Sequence, residues 1–333
     1  MTDNAELLTT PSIEDQISEA IATIDSLDQL DNVFLVACGG SYALMVSLEH
    51  ILQSSAAVEA HALNAREFTT RAPRTLGDHS LVISCSHSGN TPETVEATAA
   101  GKAAGAATIC LTNLPGSPLD EAADSHVYYQ HGDDKLYAYT GPALAYRLAY
   151  AIVDRINRTD TRAEVAEAAS HLDHIVKTVQ DDHYDAADKW AFKHARSELI
   201  YTLGSGPNYG ETYAFAVCLL QEMQWIHSQG INSAEYFHGP FEITDFDVPF
   251  IETIGLGSSR AIDERAHAFV TTKSDDVLTL DAADWDLSEV PEHLRASYAH
   301  LVFNPLLRLH ADRLADHRGH PLTVRRYMWR MEY

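Results

Sequence analysis

The sequence predicts an α/β protein made of two domains, each with a parallel β-sheet flanked by helices on both faces. Short, continuously apolar runs alternate with longer helix-like stretches along the chain. This alternation is typical of strands that are buried on both faces of a parallel sheet. The length of 333 residues is more than a typical single domain needs and suits two domains.

The first half of the chain contains one complete set of alternating elements. The predicted strands are residues 33–38, 81–85, 107–111 and 126–129, and the predicted helices are residues 41–53, 92–104 and 142–156. A polar helical stretch follows this set. We therefore predict a first domain at residues 1–158, a helical linker at residues 159–190 and a second domain at residues 191–333.

The second half starts the same pattern again. "FLVACGGSY" at residues 34–42 and "LIYTLGSGP" at residues 199–207 share the order of apolar strand, glycine-rich turn and helix. The predicted strands of this half are residues 199–203, 248–256 and 277–280, and the predicted helices are residues 209–229 and 294–316. The repeat indicates two copies of one α/β domain.

The composition excludes several classes of partner. The chain has 48 Asp and Glu residues against 23 Lys and Arg residues, a net charge of −25. Such a surface repels nucleic-acid phosphates and anionic lipid, so we expect neither nucleic acid nor membrane as a partner. The four cysteines form no C-x-x-C pair, no signal-peptide pattern opens the chain, and no apolar run approaches the ~18 residues of a membrane span. These features predict a cytoplasmic protein with free thiols.

The segment "SCSHSGNTPET" at residues 84–94 is a candidate phosphate site. It follows the end of a predicted strand, where ligands of open α/β sheets bind, and it leads into a helix. Hydroxyls of Ser86, Ser88 and Thr91, together with the helix N-terminus, can form an uncharged phosphate cradle. Ser41 follows Gly40 after the first strand and faces the same edge. The same residue types also suit an ordinary helix N-cap, so both interpretations stay open at this point.

Glu222 and His238 are candidates for acid–base catalysis. In the predicted helix, Glu222 shares a stripe with apolar residues at i, i+3, i+4 and i+7 spacing, at positions 219, 223 and 226. A partly buried carboxylate needs a partner, or burial raises its pKa towards the range of a general base. His238 precedes a Gly-Pro turn signal and could donate a proton from an ordered loop. Each residue could equally be an ordinary surface group. No histidine spacing matches a metal site, and we predict neither metal nor cofactor.

The motifs "ACGGSY", "SCSHSGNTPET" and "EYFHGP" resemble the sugar-isomerase (SIS) domain family. This family includes the isomerase half of glucosamine-6-phosphate synthase and the fructosamine-6-phosphate deglycases. The resemblance covers roughly residues 20–333 and implies two tandem SIS domains. It implies that a sugar phosphate is bound by the following residues: Gly40, Ser41, Ser86, Ser88 and Thr91, with His87 where the synthase has a glutamine.

The resemblance also assigns the chemistry. It implies that Glu222 and His238 are the acid–base pair, with His238 reaching into the neighbouring subunit's site in a homodimer. Two lysines of the synthase are replaced here, by Leu219 and by Arg326, and an arginine stays protonated and forms no Schiff base. The glutaminase domain with its catalytic cysteine is also expected to be absent, since residue 2 is Thr2.

The remaining features, including the tail "HPLTVRRYMWRMEY", resemble the fructoselysine and fructose-asparagine 6-phosphate deglycases. The predicted function is therefore cleavage of a fructosamine 6-phosphate by water to glucose 6-phosphate and an amino acid, with Arg326 among the substrate-binding residues. An amino-sugar-phosphate isomerase or deaminase is the alternative. A non-catalytic sugar-phosphate sensor is less favoured, because the N-terminal segment is short and acidic where such regulators carry a DNA-binding domain.

Overall fold

The computed structural model describes residues 4–331. The chain divides into two compact units, Met1–Asp173 and His174–Tyr333. The boundary lies inside the long helix Leu172–His194, within the stretch for which the sequence predicts a linker. No helix in the described part of the chain is long and apolar enough to cross a bilayer.

Unit 1 is built on a parallel five-stranded sheet with the strand order β2-β1-β3-β4-β5. Its strands are β1 (Asn32–Ala37), β2 (Glu59–Asn64), β3 (Ser80–Cys85), β4 (Ala107–Thr112) and β5 (Ser125–Tyr128). Every residue of β1 and β3 is buried, which requires cover on both faces of the sheet. The sequence missed β2, because this edge strand alternates between exposed and buried residues at its start and has no continuous apolar run.

The helices of unit 1 form two groups. They are α1 (Asn4–Leu7), α2 (Thr10–Ser26), α3 (Gly39–Ser55), α4 (Ala65–Arg71), α5 (Pro92–Ala103), α6 (Pro118–Ala122), α7 (Gly141–Asn157), α8 (Arg162–Ser170) and the start of α9 (Leu172–His194). In one group, α2, α3 and α8 pack against α7, and in the other α4 and α6 pack against α5. The predicted strands and helices of this half are confirmed, with ends shifted by one or two residues.

The connections of the sheet diverge between β1 and β3. The chain leaves β1 towards β2 on one side and then returns to β3 on the other side. Such a switch point opens a crevice at the carboxyl ends of the two strands, which is where open α/β sheets bind ligands. In unit 1, the turn after β1 and residues 86–91 after β3 border this crevice.

Unit 2 contains a four-stranded parallel sheet with the order β7-β6-β8-β9. Its strands are β6 (Tyr201–Gly204), β7 (Gly230–Asn232), β8 (Phe250–Ile254) and β9 (Val277–Asp281), and its further helices are α10 (Asn208–Ala214), α11 (Arg260–Val270) and α12 (Arg295–Arg318). The first strand again lies between the second and the third. The strand order therefore repeats that of β2-β1-β3-β4 in unit 1.

The prediction of one regular helix at residues 209–229 is wrong. The helix α10 continues as a π-helix over Phe215–Met223, and the helix ends at Gln224. Trp225 has a left-handed backbone with a φ of +56°, and Ile226 already lies outside the helix, where its N–H donates to the Leu220 carbonyl at 2.9 Å. The π-helix shifts the period of the side chains, so the predicted i, i+3, i+4, i+7 stripe through Glu222 does not exist.

Gly89 sets the path of the loop after β3 and offers a test of how tightly this loop is packed. Its φ is +63°, and an added Cβ would lie 2.0 Å from Oγ of Ser117. Gly116 has a similar φ of +72°, but there an added Cβ would have no atom within 4 Å. We expect Gly116→Ala to destabilise the protein by about 1–2 kcal/mol, the cost of a left-handed alanine.

Gly89→Ala should reduce the stability by clearly more than that, because Ser117 must also move. Urea unfolding of both variants measures the difference. Equal midpoints for the two variants would mean that the loop is free to shift and is not held in one conformation.

Candidate functional site

The loop of residues 86–91 presents hydroxyl groups at the start of α5. Thr91 occupies the N-cap position, but its side chain caps no backbone N–H of the helix. Its hydroxyl instead lies 2.9 Å from the Ser86 hydroxyl, while Ser88 Oγ accepts the N–H of Asn90 at 3.2 Å. The ordinary N-cap interpretation therefore does not account for Thr91, and the N-terminus of α5 has no side-chain cap.

Gly40 and Ser41 lie at the same edge of the sheet as this loop. They belong to the first turn of α3, which begins at Gly39 and also has no side-chain cap. The strands that precede the two turns are neighbours, with Ala37 paired to Cys85, and the Ser41 side chain hydrogen-bonds to Cys85. The structure thus brings together the predicted phosphate residues of both turns at the crevice of unit 1.

His87 belongs to a small cluster of rings beside the cradle. Its Nδ1 lies 3.2 Å from the Tyr129 hydroxyl, and its ring centroid is 4.4 Å from that of His131 in an edge-on contact. Partial burial lowers the pKa of His87, and the neighbouring His131 lowers it further. Burial raises the pKa of the Cys85 thiol to about 11, so this side of the crevice is uncharged near neutrality. The sequence did not single out Tyr129 or His131, which follow the distant strand β5.

Glu222 lies on the π-helix and has a charged partner. Both Nε and Nη2 of Arg325 donate to its Oε1, each at 2.8 Å. Among the described residues, no group hydrogen-bonds to its other oxygen, Oε2. The side chain of Glu222 is 25% exposed, so Oε2 is accessible while Oε1 is fixed. Of the two possibilities that the sequence left open, a partner is the one that the structure contains.

The partner of Glu222, Arg325, belongs to the C-terminal tail. The sequence did not identify it and indicated the next residue, Arg326, instead. Arg325 is buried, and its Nη1 donates to the carbonyls of Leu322 at 2.6 Å and Val324 at 2.9 Å. Arg326 points elsewhere and places its guanidinium 4.1 Å from the ring centroid of Trp225. Glu222, both arginines and Trp225 line one cavity of about 780 Å³ in unit 2. Nothing in the residue pattern distinguishes the two adjacent arginines.

His238 ends the short 3₁₀ helix Tyr236–His238 and is exposed. Tyr236 anchors this turn, because it is fully buried and packs with the rings of Phe237, Phe241 and Phe269. Gly239 follows with a φ of +142°, a conformation that favours glycine. Among the described residues, no hydrogen bond or ion pair joins His238 to Glu222. The imidazole thus projects to the surface from a well-anchored turn.

Comparison with known proteins identifies the family. The family model for the SIS domain matches residues 26–152. The chain is 41% identical to Fructosamine deglycase FrlB of Bacillus subtilis over 91% of its own length and 93% of that protein. The chain belongs to the SIS-domain family. A second relative, Fructoselysine 6-phosphate deglycase of Escherichia coli, is 29% identical and aligns over 77% of this chain and 74% of its own length.

Solved structures agree with this assignment. A Bacillus subtilis protein named as a phosphosugar isomerase is 39% identical and superposes with a TM-score of 0.91 over 95% of this chain and 100% of that chain. The C-terminal domain of glucosamine-fructose-6-phosphate aminotransferase from Francisella tularensis has a TM-score of 0.74 over 92% of this chain and 95% of that chain. Its identity of 20% makes it a comparison of fold alone.

The His87 cluster leads to a prediction about proton uptake. A bound phosphate dianion stabilises an imidazolium, so it raises a pKa that is lowered in the free protein. Binding of glucose 6-phosphate should therefore take up protons, and its affinity should rise as the pH falls through the pKa of His87 in the complex. Calorimetry at pH 7.5 in two buffers with different ionisation enthalpies measures this uptake.

The matched control is His87→Gln, whose side chain can still hydrogen-bond to Tyr129 but does not titrate. This variant should bind glucose 6-phosphate without proton uptake. Equal uptake by the variant and the wild type would exclude His87 as the titrating group.

Proposed function

We propose that this chain is a deglycase that cleaves a fructosamine 6-phosphate with water to glucose 6-phosphate and a free amino acid. The similarity to deglycases along most of the chain supports this assignment. The observation that carries it is the arrangement around Glu222: one oxygen is fixed by Arg325 and the other is accessible in a cavity lined by Arg326. This arrangement provides a carboxylate that can act as a general base, and neither Leu219 nor Arg326 can form a Schiff base as the lysines of the synthase can.

We further propose that both units are SIS domains. The repeated strand order supports this, since β7-β6-β8-β9 follows the same path as β2-β1-β3-β4. The boundaries that we propose remain residues 1–158 and 191–333, with residues 159–190 between them.

The phosphate of the substrate is assigned to unit 1. Hydroxyls of Ser41, Ser86, Ser88 and Thr91 and the uncapped N-termini of α3 and α5 can donate hydrogen bonds to its oxygens. Neutral donors suit a protein with a net charge of −25, because they create a local site for an anion without a basic surface patch. Binding energy from the phosphate, which does not react, orients the sugar for the chemistry.

The chemistry is assigned to Glu222 and His238. In the open-chain sugar, Oε2 of Glu222 takes a proton from C1, and His238 donates a proton to the oxygen on C2. The enolamine that forms is reprotonated at C2, which moves the double bond to C1 and nitrogen. Water adds to this imine, and the amino acid leaves from C1. The substrate's own carbonyl and imine accept the electrons, and Arg326 stays a protonated binding group.

Replacement of the base tests this mechanism. Glu222→Gln keeps an oxygen for the hydrogen bonds from Arg325 but cannot accept the C1 proton, so we expect kcat to fall by about 10²- to 10⁴-fold. Glucose 6-phosphate release from a panel of fructosamine 6-phosphates is read with a coupled dehydrogenase, and glucose 6-phosphate binding serves as the control for folding. Near wild-type turnover by this variant would exclude Glu222 as the base.

The same panel tests the function itself. Wild-type protein should release glucose 6-phosphate and a free amino acid from at least one member. If it releases neither from any member and instead interconverts fructose 6-phosphate or deaminates glucosamine 6-phosphate, it is an isomerase or a deaminase.

We also propose a homodimer in which His238 completes the neighbouring subunit's site. The exposed imidazole on an anchored turn supports this arrangement.

Glu222→Gln and His238→Asn should each be inactive alone. After dissociation, mixing and reassociation in equal amounts, half of the dimers are mixed and each has one intact site, so activity should return to about a quarter of the wild-type level. No recovery, with mixed dimers verified by mass spectrometry, would place both residues in the same subunit's site.

A further inference from the structure

The cavity beside Glu222 contains an arginine that has no acidic partner among residues 4–331. Arg326 lines this cavity with Glu222 and Trp225, and its guanidinium stacks 4.1 Å from the indole centroid. The chain has 48 acidic residues and only 23 Lys and Arg residues, yet no carboxylate of the described residues forms an ion pair with Arg326. Arg325 differs from its neighbour, because its Nε, Nη1 and Nη2 all donate to groups of the protein.

The indole beneath Arg326 is held in place by an unusual backbone. Trp225 has a φ of +56°, a strained conformation for a large side chain, and such strain clusters at functional sites. The ring of His320 makes an edge-on contact with the indole of Trp225, with the two ring centroids 4.3 Å apart. The indole therefore gives the Arg326 guanidinium a ring face to stack on at the cavity that Glu222 also lines. A planar fork oriented in this way suits two-point binding of a carboxylate.

The proposed reaction places a carboxylate in this position. In the Amadori compound of an α-amino acid, the nitrogen is bonded to C1, and the carboxylate carbon is only three bonds from C1. Glu222 removes the C1 proton under the proposed function, so the amino acid lies in the cavity of Glu222. Its carboxylate would be repelled by Glu222 unless a cation faced it.

We propose that Arg326, oriented by Trp225, binds the carboxylate of the α-amino acid that leaves, and that the protein selects substrates by this group. The inference rests on the proposed function. It assigns to Arg326 the recognition of the leaving amino acid, and it makes the substrate class the α-amino-acid fructosamine 6-phosphates.

Two matched substrates test the proposal: the fructosamine 6-phosphates of glycine and of glycinamide. They differ in one carboxylate, which is a neutral amide of similar size in the second. Wild-type kcat/KM should be higher for the glycine compound by about 10- to 100-fold, the range of a charge-assisted hydrogen bond. Arg326→Gln should lose this preference through a fall on the glycine compound alone, and Arg326→Lys should keep part of it, because the charge remains without the planar fork.

Arg330→Gln is the control, since it removes the same charge from an exposed position in the same tail outside the cavity; it should keep the wild-type preference. Equal turnover of both substrates by the wild type, or an equal fall on both in Arg326→Gln, would overturn the proposal while leaving the deglycase function in place. Absence of glucose 6-phosphate from both substrates and from the wider fructosamine 6-phosphate panel would overturn the function and the proposal together.

Discussion

The ion pair between Glu222 and Arg325 is the interaction on which the rest of the candidate site depends. It joins the π-helix to the C-terminal tail, two segments that are 103 residues apart in the chain. Because Arg325 is buried, loss of its partner would leave a buried charge without compensation, which destabilises this part of the structure. The pair fixes Oε1 and leaves Oε2 accessible, and it anchors the backbone that carries Arg326. The position of Glu222 and the wall of the cavity therefore follow from one contact.

The two units show how the same strand order can serve different purposes. At the switch point of unit 1, hydroxyls and uncapped helix N-termini face the crevice, and the nearby thiol and imidazole are neutral. At the corresponding strand ends of unit 2, the buried Asp263 faces Ser205 and Ser233. Burial raises the pKa of Asp263 to about 6, and the two hydroxyls oppose this shift. A carboxylate that is ionised at neutral pH repels phosphate, which agrees with the proposal that the anion binds in unit 1.

The sequence predicted those parts of the molecule that depend on local patterns. Continuous apolar runs located the central strands, because burial on both faces leaves no place for polar residues. The loop 86–91 was recognisable because its hydroxyls, glycine and helix start are contiguous. The edge strand β2 and the π-helix were missed, since one lacks an apolar run and the other depends on packing that no periodicity reveals. Arg325 was missed as the partner of Glu222, because tertiary structure alone selects between two adjacent arginines.

The central claim is that a proton leaves C1 of the sugar and a proton is added at C2. A fructosamine 6-phosphate with two deuterium atoms at C1 tests this claim most directly, with the released sugar phosphate identified and analysed by NMR. The account predicts that one deuterium remains at C1 and that the other is transferred to C2 or lost to solvent. Release of fructose 6-phosphate that retains both deuterium atoms at C1, together with the amino acid, would contradict the account, because no base could then have removed a proton from that carbon.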